Sequence, residues 1–197
     1  MYSREQIEQA VKAKGYKWFD DASGKSYDVN IVGIRNSSSG NSVTNVFDDW
    51  LSVSFKVSGE WKFLIFPCTT DPGKKGVIEY HNSAGVARLV EGQYRSAYRI
   101  GKHQGKYEAL TQAKPVKVYR DADRNLLYDS SKTQEGIFGI NIHKAGANST
   151  YVENWSEGCQ VFKQSADFDE FMNVCRKASV LHGNSFTYTL ITTNDLI

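Results

Sequence analysis

Apolar residues recur at helical spacing near the start of the chain. Within residues 3–14, Ile7, Ala10 and Val11 share one face, Ser3 and Gln6 have the spacing of a capping box, and Gly15 follows as a stop. The run 28–35 is apolar at its centre and predicts a buried strand, and the Ser-, Gly- and Asn-rich segment 36–42 predicts a loop. Residues 50–57 and 61–67 alternate apolar and polar around Ser58-Gly59-Glu60, the pattern of a hairpin, and 69–75 reads as a turn around Asp71-Pro72-Gly73. Shorter strands are expected at 86–90, 94–100 and 115–120, with a turn at 121–125. Residues 137–142 predict an apolar strand that delivers His143, and a loop containing Gly146 and Asn148 runs on to Trp155. Phe168, Phe171, Met172, Cys175 and Ala178 make the stripe of an amphipathic helix over 166–181, with Ser165 as its N-cap and Gly183 as its end. A last strand is expected over 186–192. The order of helix, many strands, helix and strand predicts a strand-rich α+β fold in one domain, with 1–27 a helical extension ahead of a β-rich catalytic domain over 28–197.

Composition narrows the partners. The 24 basic residues nearly balance the 22 acidic ones, for a net charge of +2, and no basic run is interleaved with aromatics, so no nucleic-acid partner is expected. Lys102, Lys106, Lys114 and Lys117 are dispersed and read as a solvated face. No apolar stretch is long enough to span a bilayer. The first residues show no charged segment followed by an apolar one, so no signal peptide is expected. The protein is then expected to be made in the cytoplasm as a monomer. Cys68, Cys159 and Cys175 cannot all pair, which leaves at least one free thiol.

The candidate chemistry lies at His143 and at Cys159, sixteen positions later within Ser156-Glu157-Gly158-Cys159. A thiol is mostly protonated at neutral pH and needs a base to become a nucleophile, which a histidine held on a strand supplies. Gly158 allows a positive φ, and the amides at 158 and 159 are candidates to face a developing oxyanion. Standing alone, such a pair is more often a buried cysteine and a satisfied histidine. A zinc site is not expected, because His81, His103, His143 and His182 lack ligand spacing. Asp121, Asp123 and Asn125 open like a calcium loop, but Leu126 and Lys132 stand where that loop needs Gly and Glu, so a polar turn is expected. No cofactor and no metal are expected.

His at a strand end, a loop, then Ser-x-Gly-Cys resembles the signature of the L,D-transpeptidase (YkuD-like) catalytic domain. The short strand Gln160-Val161-Phe162, the helix, Gly183 and the final strand follow in the same order. The likeness covers about 60–192 in element order and 139–162 in residue detail. Gln160 and Val161 depart from the Arg or Asn usual behind the cysteine, and Lys144 departs from the usual Gly after the histidine. The resemblance implies a transpeptidase-like β-sandwich or barrel. It also implies that the Cys159 thiolate attacks the third-residue carbonyl of a peptidoglycan stem peptide, with His143 as base and Ser156 and Gly158 in support. Trp155, Gln160, Tyr107 and Arg120 are the expected substrate contacts, and Arg35 and Arg99 are further candidates for a substrate carboxylate. Net hydrolysis is expected, in a phage lysis or antibacterial effector role, with delivery to the wall by lysis, virion or secretion system. The other class of reading is a catalytically degenerate module of the same fold that binds peptidoglycan or builds a virion.

Overall fold

In the computed structural model, which describes residues 2–79 and 82–196, the first helix, α1 (Arg4–Ala13), is closed by the Ser3/Gln6 capping box and ends before Gly15 at φ 72°. The first strands are β1 (Asn30–Arg35), β2 (Asp49–Val57) and β3 (Glu60–Thr69). β2 and β3 form a hairpin through Ser58 and Gly59, both at positive φ, as a tight two-residue turn requires. A short helix α2 (Lys74–Glu79) and strand β4 (Val86–Leu89) lead into β5 (Gly92–His103), β6 (Tyr107–Gln112), β7 (Val116–Asp121) and β8 (Thr133–Gly136). The chain closes with β9 (Ile142–Lys144), β10 (Gln160–Phe162), α3 (Ser165–His182) and β11 (Phe186–Thr192).

Eight strands close a barrel in the order β1-β11-β5-β6-β9-β10-β3-β2, and β4-β7-β8 form a separate sheet. The fold is therefore α+β and strand-rich, with few helices. Closure depends on two parallel contacts, β1 with β11 and β9 with β10; the remaining barrel pairs are antiparallel. The apolar run of β1 is buried on both faces. Ile31 joins the main core with Leu51, Phe66, Phe162, Tyr188 and the stripe of α3, while Val32 and Ile34 join a second core with Ile7, Ala10 and Val11 of α1. Gly33 is required between them, because a Cβ there would lie 1.9 Å from Tyr188 Oη. Residues 2–27 are thus laced to the barrel: α1 packs on its outer face, Lys17 N donates to Gln93 Oε1, and Phe19 N donates to Asn30 Oδ1.

Several elements differ from the sequence expectation. Residues 137–141 are not a strand. Gly139 turns at φ 74°, and the Gln112 side chain accepts from Phe138 N and Ile140 N in place of a ladder. His143 consequently sits inside the three-residue β9 and not at the end of a long strand. Strand β6 shows no clean alternation, since Ala109 and Leu110 are adjacent and both buried. The expected turn at 69–75 continues into α2. Gln164, not Ser165, occupies the N-cap of α3 and makes no side-chain cap. Among the described residues, no helix is long and apolar enough to cross a membrane.

Candidate active site

The parallel pairing of β9 with β10 sets Gln160 against Ile142 and Val161 against His143, so the turn carrying Cys159 lies beside the strand carrying His143. Gly158 is what allows this turn. Its φ is 137°, and a Cβ there would lie 2.0 Å from Ala87 O of β4. Ser156 is fully buried and ties the turn to itself: its Oγ donates to Cys159 O at 2.8 Å and accepts from Gly158 N at 3.2 Å. The Gly158 amide is therefore engaged, while the Cys159 amide has no partner among the described residues.

His143 is buried, with its Nδ1 2.9 Å from Lys144 O. That contact places the proton on Nδ1 and leaves Nε2 as the basic nitrogen. Tyr107 Oη lies 3.3 Å from both Nδ1 and Lys144 O and braces the same edge of the ring. On the ring's face stacks His103, at 4.0 Å between centroids. Burial and the neighbouring His103 push the His143 pKa down to about 4, so the imidazole is neutral at pH 7.

The Cys159 thiol is partly exposed, whereas Cys68 and Cys175 are buried. It accepts from Asn141 N at 3.4 Å and donates to Gly139 O at 3.4 Å, and no hydrogen bond joins it to His143. Burial pushes its pKa up to about 11, against the opposing Asn141 amide and with the added repulsion of Glu157. Both partners are thus uncharged at rest. Asn141 connects the two halves of the site, because its Nδ2 also reaches His103 Nδ1 at 3.1 Å. His103 and Asn141 are additions that motif spacing did not reveal; His103 lies forty positions upstream of His143.

The remaining candidates separate. Trp155 is exposed on the loop before the cysteine. Arg120 places its guanidinium 5.5 Å over the Phe138 ring, next in sequence to Gly139. Gln160, expected at the substrate, is fully buried instead: its Oε1 accepts from Tyr188 Oη at 2.8 Å and its Nε2 donates to Gly158 O at 3.2 Å, which holds the turn from inside the barrel. Arg35 is likewise buried and paired with Asp71 and Glu91, so it cannot serve a substrate carboxylate, while Arg99 is exposed. His182 is exposed and bonded to Ser26 O, and His81 lies outside the described residues. Five of the surface's pockets are lined by neither Cys159 nor His143. No family model matches the chain, no curated protein matches it, and no solved structure matches it.

Proposed function

We propose that the protein is a cysteine-dependent enzyme of the L,D-transpeptidase type that cleaves peptidoglycan stem peptides. The observation that supports this reading is the β9–β10 pairing, which brings the turn carrying the half-buried Cys159 alongside the strand carrying His143, a neutral imidazole whose Nδ1 is already committed to a carbonyl. Substrate binding releases the thiol from Gly139 O and turns it to His143 Nε2. The Sγ–H proton passes to Nε2 as sulfur attacks the carbonyl of the third stem residue. The oxyanion is met by the Cys159 amide, the donor left without an internal partner. Collapse breaks the C–N bond, and the Nε2 proton goes to the departing amine of the terminal D-alanine. A water, deprotonated by the same nitrogen, then attacks the thioester and frees the thiol. Water is the favoured acceptor because Asn148, Thr150, Tyr151 and Asn154 of the adjoining loop are exposed and leave the site wet.

A second reading, a catalytically silent peptidoglycan-binding or virion module, is favoured by one observation: the resting thiol bonds Gly139 O and not His143. Incubation of wild type, Cys159→Ala and His143→Ala with tetrapeptide muropeptides separates the two by product mass. Tripeptide from wild type alone supports the enzyme. Retention of muropeptides without any product supports the module, and crosslinked dimers without tripeptide assign the acyl group to an amine acceptor.

A further inference from the structure

Asp121 ends β7 and is only 2 % exposed, yet neither of its carboxylate oxygens has a hydrogen-bond partner among the described residues. Arg120, the preceding residue, stacks its guanidinium on Phe138 and makes no ion pair with Asp121. A buried carboxylate left this way is strongly unfavourable unless a cation or a proton joins it. Two exposed carboxylates, Asp123 and Asp129, turn toward it, and one oxygen from each of the three lies within 4.8 Å of the others. The donor set is all oxygen, with no His or Cys, which selects a hard cation over zinc or copper. Calcium–oxygen bonds of about 2.3–2.6 Å let one ion reach oxygens this far apart.

We propose that Asp121, Asp123 and Asp129 form a calcium-binding site. Along the chain, Leu126 and Lys132 stand where a calcium loop needs Gly and Glu; here the third carboxylate comes from Asp129, in the segment that returns to β8. Asp123 and Asp129 also line a pocket that gives the ion and its water ligands access. Arg120 and Lys132 line the same pocket and oppose the three acidic groups, which places the dissociation constant in the weak range for calcium sites, about 10⁻⁴–10⁻³ M.

The ion has a structural task in this position. Asp121 pairs with Val86 at the start of β4, and Gly85 approaches so closely that a Cβ would lie 1.4 Å from Asp121 O. The next residue of β4, Ala87, carries the carbonyl against which Gly158 packs. Calcium therefore clamps the edge of the small sheet that backs the cysteine turn. The site stands independently of the proposed catalytic reading.

The test is a calcium chloride titration of chelator-treated protein, followed by amide chemical shifts and by thermal melting. Saturable shifts at residues 121–129 and 83–86 are expected, with a melting rise of about 3–6 °C at about 10 mM calcium. Asp123→Asn and Asp129→Asn, both at exposed positions, should each weaken binding at least about tenfold while the calcium-free fold is kept. The absence of saturable shifts in wild type, or a double Asp123→Asn/Asp129→Asn variant that titrates as wild type does, would overturn the proposal.

Discussion

At the scale of the residue, the proposed site combines a neutral thiol with a neutral imidazole on the neighbouring strand, and its pH behaviour follows. His143, with its pKa near 4, accepts the thiol proton at all pH values above that, and Cys159 stays protonated until pH approaches 11. The kcat/KM for release of D-alanine should therefore be flat from about pH 5 to 10 and fall only below, as His143 protonates. A bell with both limbs between pH 5 and 8 would instead mark a preformed thiolate–imidazolium pair. Alkylation of Cys159 by iodoacetamide should rise about tenfold per pH unit above neutrality, and remain faster than at the buried Cys68 and Cys175. The same His143 shift couples to stability. The folded pKa lies below the unfolded value of about 6.5, so the unfolded chain binds more protons between the two, and about 3 kcal/mol of stability is lost as pH falls through that window. Urea unfolding at pH 7 and pH 4, in wild type and His143→Gln, measures it. Tyr107→Phe removes the brace on the Nδ1 edge and should lower kcat about three- to tenfold with little change in KM.

At the scale of the element, two glycines decide whether the strands can sit where they do. Gly158→Ala forces a Cβ onto Ala87 O and a side chain into φ 137°, and should destabilise by about 2 kcal/mol or more and abolish turnover. Gly33→Ala drives Tyr188 Oη from its place and breaks its bond to Gln160. The double variant with Tyr188→Phe should be less destabilised than the sum of the two single changes, which denaturant unfolding resolves. These close approaches also explain what could be read in advance. The Ser58-Gly59 hairpin, the capping box of α1 and the stripe of α3 are local patterns, and the sequence showed them. The thiol and the histidine were visible as residue types at a workable spacing. The replacement of a strand at 137–141 by backbone bonded to the Gln112 side chain was not visible, because that partner lies on β6, itself an element without alternation. The inward turn of Gln160 depends on Tyr188, twenty-eight positions later, and was equally hidden.

At the scale of the whole molecule, closure joins the two ends of the chain: Ile31 pairs with Tyr188 in the β1–β11 contact, and α1 covers that seam from outside. Ile7 and Val11 are almost wholly buried there, so removal of residues 1–15 should lower unfolding free energy by about 3 kcal/mol or more, seen as an earlier denaturant midpoint. The seam is on the opposite side of the strand order from β9 and β10, so any activity in the truncated chain should fall with stability and not with altered product. The proposed catalysis reduces to whether Cys159 becomes acylated. Rapid acid quench of the protein during turnover of a tetrapeptide muropeptide, followed by peptide mapping with mass spectrometry, reads this directly. A tripeptide acyl group on the peptide containing Cys159, absent in Cys159→Ala, is the expected result; release of D-alanine with Cys159 unmodified, or an acyl group on any other residue, would contradict it.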